Sequence, residues 1–114
     1  DRIELVFVGP SADALGVTAD DVAGSAGHRV VGLGRPLTST SVARAAGVRA
    51  ATAPVVAFGE DHSFPAPGWA AALIERHREE WAAVGPAMVN PNPSSAVGWA
   101  NFLVEYGEWA EPTL

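Results

Sequence analysis

The sequence predicts an α/β fold in which a mostly parallel β-sheet is flanked by helices. Two observations lead to this prediction. Short, nearly continuous apolar runs, such as IELVFV at residues 3–8, are typical of strands buried on both faces of a parallel sheet. These runs alternate with segments of helical periodicity in the order β-α-β-α-β-α-β-α, which is typical of layered α/β proteins.

The first third of the chain predicts two strands and a short helix between them. The run at residues 3–8 ends at a Gly-Pro pair and forms the first strand. Thr18 is a suitable N-cap for a helix over residues 19–23, because two aspartates follow in its first turn. Residues 28–33, HRVVGL, predict the second strand.

The middle of the chain predicts two helices around a third strand. One helix begins near Ser39 or Thr40 and continues through SVARAAGVRAA. Residues 55–58, VVAF, predict the strand. Pro67 suits the first turn of the next helix, GWAAALIERHREEWAA, which has one apolar side and one charged side.

The last third predicts a fourth strand and a final helix. Residues 82–89, AAVGPAMV, contain a proline, which places the strand at a sheet edge or introduces a bulge. The final helix covers about residues 94–109, with Ser94 or Ser95 as its N-cap.

The composition indicates a single domain over residues 1–114 and excludes several classes of function. Hydrophobic residues make up 48% of the chain, enough for a hydrophobic core. The net charge of −6 argues against nucleic-acid binding, which needs a basic surface. The absence of cysteine excludes disulfides and zinc–thiolate sites, and no apolar run reaches the roughly 18 residues of a membrane span. We expect a cytoplasmic location, with membrane association of a longer protein left open.

A polar triplet, Glu60-Asp61-His62, directly follows the predicted third strand, at the end where open parallel sheets bind ligands. Residues two apart in an extended segment point the same way, so Glu60 and His62 can face one ligand. A carboxylate with an imidazole suits Mn²⁺, whereas Mg²⁺ prefers an all-oxygen shell. The alternative is a solvated acidic turn in which His62 orders the loop.

Two further motifs surround the triplet. They are Ala43, Arg44 and Gly47 on the second helix, and Pro67, Gly68 and Trp69 at the start of the third. In this order and spacing, the three motifs resemble the middle of family 2 glycosyltransferases, which have the GT-A fold. That family typically shows Ala-Arg-Asn-x-Gly, then an Asp-x-Asp turn, then Pro-Gly-Trp. Ala45 stands where Asn is usual, and Glu60-Asp61-His62 fill the Asp-x-Asp slot.

The resemblance implies a partial GT-A architecture, Rossmann-like, with a site for a nucleotide-sugar donor. In a full member, a divalent metal at the Asp-x-Asp turn neutralises the departing nucleoside diphosphate. Carried over by position, Glu60 and His62 are the metal ligands, and Mn²⁺ or Mg²⁺ is the ion. The donor-binding residues are Ser11, Asp13, Arg44 and Asp61. Ser11 and Asp13 have an alternative role as turn residues after the first strand.

Several parts of the family's domain have no counterpart in this sequence. The family's first strand is missing, and no residue occupies the position of the base that deprotonates the acceptor. We therefore expect an incomplete glycosyltransferase domain, cut from a longer protein, that does not act as an enzyme on its own. Full-length relatives of this type transfer a sugar from a nucleotide-sugar donor to an acceptor hydroxyl.

The final predicted helix is apolar on two sides. One stripe contains Val97, Ala100, Leu103 and Val104, and the other contains Trp99, Phe102, Tyr106 and Trp109. Since only one side can pack on the sheet, the other needs the rest of the domain, a second copy or an acceptor. The alternative function is a non-catalytic α/β module that forms a homodimer through Trp99, Phe102, Tyr106 and Trp109.

Overall fold

The computed structural model describes residues 3–59 and 63–111. They form a mixed α/β protein with a two-stranded parallel sheet and helices, so the α/β prediction is confirmed in this coarse form. The chain divides into two compact units, unit 1 over Asp1–Pro67 and unit 2 over Gly68–Leu114.

The sheet belongs to unit 1 and consists of β1 (Glu4–Gly9) and β2 (Gly27–Gly32), both of them predicted. The strands pair in parallel over their full length. The pairing continues past their ends, because Leu33 N–H donates to Gly9 O at 2.9 Å and Gly34 N–H donates to Pro10 O at 3.0 Å. The loops that follow the two strands therefore leave the carboxyl edge of the sheet side by side.

A four-residue helix, α1 (Ala12–Leu15), follows β1 and was not predicted. Its N-cap is the Ser11 hydroxyl, and it ends at Gly16, whose φ of 58° is the left-handed conformation that glycine adopts readily. The predicted helix over residues 19–23 is wrong, because these residues form turns. Ala23 N–H donates to Asp20 O at 3.2 Å and Ser25 N–H donates to Val22 O at 3.1 Å, so each bond reaches back three residues, as in a turn, and not four, as in an α-helix.

Helix α2 (Thr40–Ala50) packs on the sheet and agrees with the prediction. The Ser39 hydroxyl caps it by accepting a hydrogen bond from Ser41 N–H at 3.2 Å. The segment at residues 55–58 is not a strand and does not join the two-stranded sheet, so the predicted third strand is wrong. An apolar run becomes a strand only where a neighbour completes its backbone hydrogen bonds.

Unit 2 begins with α3 (Trp69–Arg76), whose N-cap, Gly68, has a φ of 82°. The helix is shorter than predicted, because turns follow from His77 onwards. Glu79 holds these turns by pairing with Arg76 at 3.0 Å and by accepting a hydrogen bond from Trp81 Nε1 at 2.9 Å. The charged end of the predicted helix therefore forms a turn instead of two more helical turns.

The predicted fourth strand is reduced to an isolated parallel bridge between Met88 and Ala110. Met88 N–H donates to Trp109 O at 2.7 Å, and Glu111 N–H donates to Met88 O at 2.9 Å. A Cβ at Gly85 would lie 2.5 Å from the Trp109 ring. The chain end of unit 2 thus packs along residues 85–88, without a ladder long enough to be a strand.

Helix α4 (Ala96–Tyr106) confirms the prediction of a final helix, with Ser95 as N-cap, and a 3-10 turn (Gly107–Trp109) follows it. The loop before α4 folds over its first turn. Trp99 Nε1 donates to Pro93 O at 2.9 Å, and a Cβ at Gly98 would overlap the Asn92 carbonyl oxygen. Asn90 begins this loop and is only 7% exposed.

Candidate functional site

The carboxyl edge of the parallel sheet in unit 1 carries two of the predicted site residues, Ser11 and Asp13. Ligands of open parallel sheets bind beyond this edge. The loops after β1 and β2 touch there, because a Cβ at Gly32 would lie 3.3 Å from Ser11 Cα. Pairing of Gly34 with Pro10 keeps the loops together beyond this point. The two loops therefore form one surface at this edge and are not independent; we call this surface the platform.

Ser11 and Asp13, two of the predicted donor-binding residues, lie on this platform. Ser11 Oγ accepts a hydrogen bond from Ala14 N–H at 3.1 Å and so caps α1. Asp13 stands in the first turn of α1, where the helix dipole favours a carboxylate, and its side chain is exposed. The turn role of Ser11 is thus present in the structure, and both residues border the surface where a donor would bind.

Arg44, the third predicted donor-binding residue, is on α2. Gly47 of this helix lies against Val8, near the end of β1, and Thr52 beyond the helix bonds to Glu4 at the start of β1. Helix α2 therefore runs from the carboxyl edge towards the amino edge of the sheet. Since Arg44 precedes Gly47 by almost one turn, it lies closer to the carboxyl edge.

Arg44 also contacts the segment that leads to the acidic triplet. Its Cζ lies 5.4 Å from the centroid of the Phe58 ring, which is a cation–π contact. Phe58 is 57% exposed, so burial in a core does not hold its ring in place. The contact with Arg44 connects the chain just before Gly59 to helix α2.

The triplet itself, Glu60, Asp61 and His62, lies outside the described residues. The prediction that Glu60 and His62 bind Mn²⁺ or Mg²⁺, with Asp61 at the donor, therefore stays a prediction. Within residues 3–59 and 63–111, no group of three His, Cys, Asp or Glu side chains is placed to hold a metal ion.

A polar network at the amino edge of the sheet was not predicted. Glu4 Oε2 accepts hydrogen bonds from the Thr52 N–H at 2.9 Å and from the Thr52 hydroxyl at 2.7 Å, and Arg29 Nε donates to Glu4 Oε1 at 2.6 Å. The Thr52 N–H, then the Arg29 and Thr52 side chains, lower the pKa of the Glu4 carboxyl from 4.5 to about 2. The only sequence feature that indicates this network is a carboxylate, Glu4, within an apolar strand.

This network positions α2 and, through it, Arg44. Glu4 is on β1, and Thr52 lies two residues after the end of α2. Their bonds fix where the helix leaves the sheet. The three side chains also border an open cavity of about 450 Å³ at the edge opposite to the predicted donor site. The helix that carries Arg44 is thus attached to the sheet at its far end.

The four aromatic residues of the predicted dimer surface form part of unit 2. The Trp99 and Phe102 ring centroids lie 6.0 Å apart at 87°, and those of Phe102 and Tyr106 lie 5.9 Å apart at 38°. Phe102 is only 7% exposed, whereas Trp109 is 54% exposed. Dimerisation through this stripe stays a prediction, and its central ring is already covered within the chain.

Comparisons of the chain with protein families, with curated proteins and with solved structures find no match. No helix in the two described ranges is long and apolar enough to cross a membrane.

Proposed function

We propose that this chain forms the donor-binding part of a glycosyltransferase domain of the GT-A type. The observation that carries the proposal is that Ser11 and Asp13 lie at the carboxyl edge of the parallel sheet, while Arg44 precedes Gly47, which lies against Val8 near the same edge. These residues come from two segments about thirty positions apart in the sequence. The carboxyl edge is also where open α/β sheets bind nucleotides.

Each residue has a role that its chemistry suits. The Arg44 guanidinium, always charged and able to donate in pairs, would bind the diphosphate of a nucleotide-sugar. Asp13 and Ser11 would accept or donate hydrogen bonds at the ribose. Asp61 would contact the donor from the acidic triplet.

The donor set at Glu60 and His62, a carboxylate and an imidazole, fits Mn²⁺ better than Mg²⁺. A divalent ion bound there would act as a Lewis acid that stabilises charge on the leaving diphosphate. Two protein ligands leave positions for diphosphate oxygens. The cation–π contact between Arg44 and Phe58 supports this arrangement, because it ties the segment before the triplet to the diphosphate-binding helix.

Binding of UDP tests the donor site. A ligand present at a hundredfold its Kd stabilises the folded state by about 2.7 kcal/mol. We expect UDP with Mn²⁺ to raise the midpoint of thermal unfolding, measured by far-UV circular dichroism. Arg44→Ala should remove most of this rise in the midpoint. Part of the rise should depend on Mn²⁺ and disappear when EDTA is added, and Glu60→Ala or His62→Ala should remove that part.

Arg49→Ala is the matched control, because Arg49 is also exposed on α2 but lies more than one turn further from the carboxyl edge. It should keep the full shift. An equal shift in Arg44→Ala and in the wild-type chain would contradict the role of Arg44. No shift with millimolar UDP and Mn²⁺ would contradict the donor site altogether.

Turnover is a separate question, because the sequence offers no residue at the position of the acceptor base. We expect no UDP release when the chain is mixed with UDP-sugars and Mn²⁺, even where UDP binds. Release of UDP above the rate of spontaneous hydrolysis would show that this chain is catalytically competent and would contradict that expectation.

A further inference from the structure

The arginines of unit 1 are divided between the two edges of its sheet. The chain contains no lysine, so arginines supply its seven permanent positive side-chain charges. Four of them are described in unit 1. Arg29 pairs with Glu4 at the amino edge, with Nε 2.6 Å from Oε1. Arg49 lies more than one turn of α2 beyond Arg44, towards the same edge. Of these four, Arg35 and Arg44 are therefore the two near the carboxyl edge.

Arg35 directly follows the hydrogen bond that joins the two loops of the platform. Gly34 N–H donates to Pro10 O at 3.0 Å. Gly34 has a φ of 66°, the left-handed conformation that glycine adopts readily. Since consecutive Cα atoms are about 3.8 Å apart, the Arg35 backbone is held beside the loop that carries Ser11. The exposed Arg35 side chain thus starts from a fixed point on the platform.

The Arg35 guanidinium is available to a ligand. Among residues 3–59 and 63–111, no ion pair or side-chain hydrogen bond engages Arg35. Arg29 differs, because Glu4 already accepts its Nε–H and balances its charge. A guanidinium keeps its positive charge and has five N–H donors in a planar fork that matches phosphate oxygens.

The charge of the proposed ligand requires more than one cation. A nucleotide-sugar carries a negative charge on each phosphate of its diphosphate. The Asp13 carboxylate on the platform and the net charge of −6 both oppose binding of such an anion. Arg44 supplies a single positive charge. A second arginine at the same edge would offset this repulsion, because charge-assisted hydrogen bonds to phosphate are roughly twice as strong as neutral ones.

The positions of the two arginines favour different phosphates. Arg44 contacts Phe58, which leads to the acidic triplet and its proposed metal. Arg35 is on the platform with Ser11 and Asp13, the proposed ribose contacts. We propose that Arg35 binds the inner phosphate of the donor, the one attached to the ribose, and that Arg44 binds the outer phosphate. This role of Arg35 rests on the proposed donor site and adds a residue to it.

Uridine, UMP and UDP test this proposal, because they differ only in their phosphates. Dissociation constants come from amide NMR titrations at 0.15 M salt, where a Debye length of about 8 Å screens distant charges. Arg35→Ala should weaken binding of UMP and of UDP about tenfold or more and leave uridine unchanged. Arg44→Ala should weaken UDP by a similar factor but change UMP by less than about twofold.

Two further variants separate the guanidinium from general effects. Arg35→Lys keeps the positive charge but loses the paired donors, so UMP should bind with an affinity between those of the wild-type chain and Arg35→Ala. Arg49→Ala removes an exposed arginine of α2 that lies further from the platform. It should leave all three dissociation constants unchanged. Far-UV circular dichroism checks that each variant keeps its helix content.

Failure of the Arg35 role and failure of the donor site give different results. If the wild-type chain binds UDP, and Arg35→Ala binds UMP and UDP equally tightly, the role of Arg35 is rejected and the donor site stands. Equal weakening of UMP by Arg35→Ala and Arg44→Ala would reject the division between inner and outer phosphate. A wild-type chain that binds none of the three ligands at millimolar concentration would reject the donor site together with the phosphate contact.

Discussion

Unit 1 and unit 2 are held together by different kinds of contact. In unit 1, the Glu4 side chain bonds to Arg29 and Thr52, which are 25 and 48 residues away in the sequence. In unit 2, side-chain hydrogen bonds among the described residues join positions at most six apart. Its distant segments meet through the backbone at Met88 and through aromatic side chains.

Because their contacts differ, the two units should be destabilised by different perturbations. A carboxylate that joins three segments makes unit 1 sensitive to protonation. Local turns and a loop that packs closely on Gly98 make unit 2 sensitive to added volume. The two units have different probes, because all four tryptophans, Trp69, Trp81, Trp99 and Trp109, belong to unit 2. Tryptophan fluorescence therefore reports unit 2, whereas far-UV circular dichroism reports both units.

The largest effect is expected from Gly98→Ala in α4. Alanine normally stabilises a helix relative to glycine by about 1 kcal/mol. At Gly98 the new methyl group would overlap the backbone oxygen of Asn92, which cannot move without displacing the capping loop. We expect a net loss of about 1–3 kcal/mol, seen as a lower midpoint of the fluorescence transition.

Gly47→Ala in α2 is the matched control in unit 1. Its Cβ would lie 3.4 Å from Val8 Cγ2, an ordinary van der Waals distance. This variant should gain about 0.5–1 kcal/mol in the circular dichroism transition and leave the fluorescence midpoint unchanged. Stabilisation by Gly98→Ala would mean that the capping loop does not pack on α4.

The second-largest effect is expected from removing the charge of the Glu4 carboxyl in unit 1. Because its pKa falls from 4.5 to about 2 on folding, ionised Glu4 favours the folded state. This contribution is complete above about pH 4.5 and is lost as the pH falls from there towards 2. Glu4→Gln should lower the circular dichroism midpoint at pH 7, and the difference from the wild-type chain should shrink towards pH 2.

Thr52→Val distinguishes the contributions of the two hydrogen bonds that Glu4 accepts from Thr52. It removes the hydroxyl donor but keeps the Thr52 N–H donor, which is the largest cause of the low pKa. Its effect at pH 7 should therefore be smaller than that of Glu4→Gln. A midpoint difference between Glu4→Gln and the wild-type chain that stays constant from pH 7 to pH 2 would contradict the network.

The smallest effect is expected from Arg78→Ala in unit 2. Arg78 pairs with Glu75 at 2.6 Å, but the two side chains are 72% and 67% exposed. Exposed pairs of this kind contribute about 0.5 kcal/mol or less. The fluorescence midpoint should barely move, whereas Arg29→Ala should lower the circular dichroism midpoint more, because its partner Glu4 is only 17% exposed. Equal effects of the two variants would remove the distinction between the units.

The correctly predicted elements are specified by residues that lie close together in the sequence. Helices α2 and α4 follow a serine N-cap, and β1 lies within the nearly continuous apolar run at residues 3–8. Caps and periodicity act within a few residues, so they need no distant partner. The misplaced strands depended on distant partners. Residues 55–58 have the composition of a strand, but the two-stranded sheet does not include them.

The candidate site was predictable only in part, for the same reason. Ser11, Asp13 and Arg44 were found from motifs, which record residue type and spacing. Nothing in those motifs indicates that Glu4 and Thr52 attach the helix of Arg44 to the sheet. That bond joins residues 48 positions apart, a distance that no local pattern covers.

Helix α4 shows most clearly what each level of structure decides. The sequence alone determined that this segment is helical and has two apolar stripes, because helix periodicity and the serine cap are local properties. Only the tertiary structure decided which stripe is covered. Phe102 packs between Trp99 and Tyr106, while Val97 and Val104 stay exposed. Two stripes of similar hydrophobicity are equivalent in the sequence, and only packing in the folded chain distinguishes them.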